Sequence, residues 1–299
     1  MRTAVIGIGS NSVRMLLAEV TDGKIERVLR DREGTRLFAG LDEHNCLSEE
    51  SMRRTAGAAA QMVGKARAGG AAEVRIFATS ASRDAANGDD FIELVRTLTG
   101  EELEIISGQE EAALSFLGAT DGHSGLCGVI DIGGGSTEVV TGSGADIIRA
   151  FSCQMGAVRL FNMIPIHGHT DLPVVIEKSK EILLETIGDR PLTDIPDKWI
   201  GTGGTFTTLA AMVKGIKWTD RTYMHGTVLT LQKIRDLAES MADMTIEERL
   251  RLPGLQPNRA DIVVHGICIL IAIMEQFGMD SIQVSELGNL DGYIRREYT

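Results

Sequence analysis

The feature that most constrains this chain is a repeat of its own. Val5-Ile6-Gly7-Ile8-Gly9-Ser10-Asn11-Ser12 aligns without a gap on Val129-Ile130-Asp131-Ile132-Gly133-Gly134-Gly135-Ser136. Each copy opens with a short apolar strand and a Gly/Ser turn. Each continues into a second β-rich run, Val13 to Val20 and Thr137 to Thr141, and a third after a glycine, Lys24 to Leu29 and Ala145 to Phe151. A strand meander written twice predicts two related α/β halves. The expected boundaries are 1–121 and 122–299, with the last helical segment able to pack back on the first half. At 299 residues the chain exceeds what one compact core usually holds.

After each meander the pattern turns to helices with isolated strands between them. Ser48 reads as an N-cap with Glu49 and Glu50 in the first turn of a helix running through Ala66. Glu73 to Ala78 and Glu104 to Ile106 read as strands, Phe91 to Leu98 and Gln109 to Leu117 as helices. In the second half, helices are expected over Leu172 to Glu185, Thr205 to Val213, Leu231 to Met241, Glu247 to Leu252 and Asp261 to Phe277. Lys198 to Gly201 and Ser281 to Val284 are its remaining strands. The fold class is α/β, two domains each with a mixed sheet flanked by helices, with an interdomain cleft as the expected ligand site.

Composition excludes several functions. The net charge of −12, from 30 basic and 42 acidic residues, argues against nucleic acid as a partner. No apolar run approaches a membrane helix and the N-terminus carries no signal-peptide pattern, so no membrane partner and a cytoplasmic location are expected. Cys46, Cys127, Cys153 and Cys268 are scattered, which suggests core packing and neither a zinc site nor disulfides. A homodimer is expected without any surface to assign to it. An anionic substrate would need a local cluster of cations against this field.

Glycine turns supply part of that need, because their backbone N–H groups are open to close approach by phosphate. There are two homologous turns, Gly9 to Ser12 and Gly133 to Thr137, and a third, Gly203-Gly204, that opens a helix. Asp131 and Glu138 flank the second turn, so a hairpin brings their carboxylates together as oxygen ligands for Mg²⁺. Ser107-Gly108-Gln109-Glu110-Glu111-Ala112 places two glutamates in the first turn of a helix. Either could be the base for an attacking water, and spacing does not choose between them. Arg14, Arg36 and Arg83 offer planar forks for phosphate oxygens.

These stretches resemble the exopolyphosphatase and guanosine pentaphosphate phosphatase (Ppx/GppA) family, within the superfold of acetate and sugar kinases, heat-shock ATPases and actin. The resemblance rests on Ile8 to Arg14, Arg36-Leu37 with Gly40-Leu41, Ala78 to Ala81 with Arg83, Ile106 to Ala112, Asp131 to Glu138 and Gly201 to Thr205, in family order. It implies two actin-like, RNase H-like domains and Mg²⁺-dependent hydrolysis of the terminal phosphate of polyphosphate. It implies Glu111 as catalytic base, Glu138 as the residue that positions water or metal, and Asp131 as a metal ligand. Gly9, Ser10, Asn11, Ser12, Arg14, Arg83, Gly133, Gly134, Gly135, Ser136, Thr137, Gly203 and Gly204 become the phosphate-binding set.

The chain departs from the family pattern at Gly7, where an aspartate is usual, and the repeat marks the same position by setting Gly7 against Asp131. Longer relatives carry a C-terminal HD-type helical domain, and this chain is expected to be a short form without it. The rival readings are hydrolysis of guanosine pentaphosphate, a kinase of the same superfold, and a polyphosphate- or nucleotide-binding regulator with weak turnover.

Overall fold

The computed structural model describes residues 1–42, 44–189 and 195–298. The chain forms two compact units, Met1–Gly118 with Asn289–Thr299, and Ala119–Gly288. The first unit therefore has two chain segments, and the final helix belongs to it.

In the first unit, strands β1 (Arg2–Ile8), β2 (Ser12–Thr21), β3 (Lys24–Gly34), β4 (Glu73–Ala78) and β5 (Leu103–Ile105) form a sheet in the order β3-β2-β1-β4-β5. β1 pairs antiparallel with β2 and parallel with β4. Thr3 to Ile8 of β1 are all buried, as befits a central strand covered on both faces, whereas the edge strand β3 carries alternating charges. Helices α1 (Glu49–Ala68), α2 (Ser80–Arg83), α3 (Gly88–Thr99) and α4 (Gly108–Thr120) follow the meander. Ser48 caps α1, its Oγ accepting from the Ser51 amide at 3.3 Å.

The second unit repeats the plan. Its strands are β6 (Leu126–Ile132), β7 (Thr137–Ser143), β8 (Asp146–Cys153), β9 (Trp199–Thr202), β10 (Val228–Thr230) and β11 (Ser281–Val284), in the order β10-β11-β9-β6-β7-β8. Leaving aside the added edge strand β10, this is the first sheet's order and sense of pairing. Its helices are α5 (Ala157–Met163), α6 (Leu172–Ile187), α7 (Gly203–Lys214), α8 (Leu231–Ala242), the single turn α9 (Ile246–Arg249) and α10 (Val263–Gln276). α10 is apolar all round and buried from Val263 to Met274, the centre of that unit's core. The last helix, α11 (Asn289–Tyr298), completes the first unit.

Sequence pattern missed α5 and β10, and the helix expected over Glu247 to Leu252 is only one turn. Cys127, Cys153 and Cys268 are buried, but Cys46 is only partly so, which corrects its assignment to the core. No helix among the described residues is long and apolar enough to cross a membrane.

Candidate functional site

The two glycine turns are built alike. The Gly9 amide donates to Ser12 O at 3.0 Å, and the Gly133 amide to Ser136 O at 3.0 Å. In the second unit the turn's carbonyls all point back into the protein. Gly133 O accepts from Ala157 N, Gly134 O from Val158 N and Arg159 N, and Gly135 O from Arg159 Nε. The first turn of α5 thus caps the glycine turn, and Gly156 before it lies so close to the backbone of Gly134 and Gly135 that a side chain would collide with them. The N–H groups of Gly134 and Gly135 have no backbone acceptor among the described residues.

The first turn follows the same rule. Ser10 O accepts from Phe38 N, and Asn11 O accepts from Thr35 N and Arg36 N. Making that contact holds Arg36 at φ 51, ψ 45, a left-handed conformation uncommon for a bulky residue. The Asn11 carboxamide is buried, yet neither its oxygen nor its nitrogen has a partner among the described residues. Buried amides are ordinarily hydrogen-bonded, so this carboxamide is a candidate contact for a polar group.

Register places Asp131 opposite Glu138 on β6 and β7, with Thr202 of β9 beside Asp131 and Ser152 of β8 beside Glu138. The result is a polar row across one end of the sheet. Asp131 and Glu138 are both buried, and Ser152 Oγ donates to Glu138 Oε1 at 2.8 Å. Asp131 lies against Gly203, at φ +86 the first residue of α7, where any side chain would strike the carboxylate. No cluster of three or more His, Cys, Asp or Glu is present among the described residues. A carboxylate pair with no nitrogen or sulfur donor suits Mg²⁺, which keeps waters and takes substrate oxygens for the rest of its shell.

Within the first unit, the structure separates the two glutamates of α4. Ser107 N and Oγ both donate to Glu110 Oε2 at 2.8 Å, and the Glu110 amide donates back to Ser107 Oγ at 3.2 Å. This reciprocal cap occupies Glu110, and the Ser107 amide holds its carboxyl below the usual carboxylate range. Glu111 is buried instead, with Arg83 Nη1 at 3.4 Å from its Oε2. Arg83 Nη1 also donates to Ile106 O at 3.0 Å, while its Nη2 is buried without a partner among the described residues. Arg14, half-buried on β2, donates through Nη2 to Asn289 Oδ1 at 3.2 Å.

The candidate residues thus fall into two sets: Gly9 to Ser12, Arg14, Arg83 and Glu111 in the first unit, and Asp131, Gly133 to Glu138, Gly203 and Gly204 in the second. Sequence reasoning missed Arg259, whose buried guanidinium lies against Gly204 and leaves no room for a side chain there. No local signal marks it, since tertiary folding alone brings it to α7. The cap on Glu110 did have a signal, the Ser-x-x-Glu spacing of Ser107 and Glu110.

Comparison with known proteins places the chain in a family. Residues 16–298 match the Ppx/GppA phosphatase family. The chain is 32% identical to Exopolyphosphatase 2 of Mycobacterium tuberculosis over 97% of each protein. It is 33% identical to the guanosine-5'-triphosphate,3'-diphosphate pyrophosphatase of Vibrio campbellii, over 94% of this chain and 56% of that protein. A solved structure of the Aquifex aeolicus PPX-GPPA enzyme superposes with a TM-score of 0.83 at 30% identity, covering 99% of both chains.

Proposed function

The chain belongs to the Ppx/GppA phosphatase family, and from that premise we propose that it is an exopolyphosphatase, releasing the terminal phosphate of inorganic polyphosphate by attack of water. The observation that carries this reading is the paired turn. In both copies most of the turn's carbonyls are bonded, Ser10, Asn11 and Ser12 in the first and Gly133 to Ser136 in the second, which leaves N–H groups as the turn's contribution to an anion. Similarity to an exopolyphosphatase along nearly the whole of both proteins favours polyphosphate over guanosine pentaphosphate.

In this reading Glu111 accepts the proton of a water that attacks the terminal phosphorus in line. The bond to the bridging oxygen breaks, giving orthophosphate and a chain one unit shorter. Arg83 orients Glu111 through its Nη1 and offers Nη2 to a phosphate oxygen. Asn11, Ser12 and Arg14 supply further donors. In the second unit, Asp131 and Glu138 would hold Mg²⁺, which supplies positive charge for an anionic substrate. A reducing, cytoplasmic setting belongs to the same reading, supported by cysteines that are all free thiols. A homodimer is included in it, with light scattering as the check.

Phosphate release from polyphosphates of several lengths and from guanosine pentaphosphate, with and without Mg²⁺, tests the proposal. Metal-dependent release from polyphosphate is expected. Faster release from guanosine pentaphosphate would favour the rival hydrolase, and tight polyphosphate binding without release in any metal would favour a regulator.

A further inference from the structure

The two repeats share strand order and sense of pairing but carry different chemistry at equivalent register positions. In the second unit the row across the strand ends reads Thr202, Asp131, Glu138, Ser152. In the first unit the same register gives Phe77, Gly7, Arg14, Arg32. An apolar ring stands where the second unit has a hydroxyl, glycine where it has an aspartate, and arginine where it has a glutamate.

The space over Gly7 is filled. A Cβ at Gly7 would lie 2.9 Å from Leu290 Cδ2 and 3.1 Å from Phe77 Cζ. Leu290, the second residue of α11, is buried with Phe77, Leu114, Tyr293 and Ile294 in one apolar cluster. Phe77 also stacks on Tyr293, centroids 5.4 Å apart. A carboxylate placed there would need Leu290 to move, and it would face Arg14, its register partner, rather than an open metal position. Next to the plug, Asn289 Oδ1 accepts from Arg14 Nη2, so the same end of α11 that closes the site to an acid also holds the cation.

We infer that this chain binds its divalent ion on the second unit alone, as one ion on the Asp131–Glu138 pair. The first unit's copy of that site is converted by the Gly7, Leu290 and Phe77 plug into a metal-free one, where Arg14 supplies positive charge in place of an ion. The inference rests on the magnesium reading above and adds to it where the ion is held and where none can be.

Mn²⁺ titration followed by electron paramagnetic resonance, on the full chain without substrate, counts the ions directly. One Mn²⁺ per chain is expected, with affinity falling about tenfold or more in Asp131→Asn and changing less than about twofold in Arg14→Gln. Gly7→Asp should add no second ion and should lower Tm by roughly 5 °C. In a Leu290→Ala background, the same substitution should lower Tm by less than half as much, because the two positions share one space. Two ions per chain, full Mn²⁺ affinity after Asp131→Asn, or a Gly7→Asp variant with unchanged Tm and tighter binding would overturn the inference. If the unaltered chain bound no Mn²⁺, the magnesium reading beneath it would fall as well, so the two failures read out differently.

Discussion

Glu110 and Glu111 are separated by one peptide and about 100° of helix, and that rotation assigns them different work. Glu110 closes the cap on α4 and Glu111 sits buried beside Arg83. Glu111→Gln is therefore expected to lower phosphate release by about 10²-fold or more while leaving the urea midpoint close to that of the parent chain. Glu110→Ala should do the reverse, keeping the rate within a fewfold and costing about 0.5–1 kcal/mol of stability in urea titrations. The pH dependence follows from the lowered Glu110 carboxyl. Its contribution is complete above the ordinary value of 4.5 and is lost as pH falls through the lowered folded value. Stability measured between pH 5 and pH 3 should consequently fall less steeply in Glu110→Ala than in the parent chain, and an unchanged slope would show that the cap does not titrate with folding.

Asp131 depends on the entrance of α7, because Gly203 at φ +86 is the one residue type that fits between the helix start and the carboxylate. Gly203→Ala is expected to destabilise by about 1–3 kcal/mol, through a strained backbone and a displaced Asp131, and to weaken Mn²⁺ binding as well. Thermal unfolding and metal titration on the same sample check both effects. A variant that loses stability but keeps metal affinity would show that Asp131 is not held by this contact. The glycine turns and meanders were legible in the sequence because strands, turns and repeats are local signals. α5 was not, since its seven residues gain their order from amides donated to Gly133 and Gly134, a contact invisible in Ala157 to Met163 themselves. β10 is likewise a three-residue edge strand whose partner, β11, lies far along the chain. In the site, residue types and order were legible, while the pairing of Arg83 with Glu111 and the approach of Arg259 to Gly204 needed the fold.

The first unit closes only when the end of the chain arrives. Its sheet and most of α4 come from Met1–Gly118, but Leu290, Tyr293 and Ile294 of its core lie beyond the whole second unit. Burying three such side chains contributes on the order of 5 kcal/mol, comparable with the net stability of a domain. Polar contacts add to this. Asp291 pairs with Arg27 at 2.6 Å and Arg30 at 3.1 Å on β3. Thr3 Oγ1 donates to the Tyr298 hydroxyl, which donates to Glu73 Oε2 at 2.6 Å and holds the Glu73 carboxyl below its usual range. Ala119–Gly288, by contrast, is one continuous segment with α10 at its centre. A chain ended after Gly288 should therefore keep native hydrogen-exchange protection in α10 and β6 and lose it in β1, β4 and α4. Uniform loss of protection would mean that the second unit also requires the last helix, and uniform retention would mean that Leu290, Tyr293 and Ile294 cover a first-unit core already stable without them.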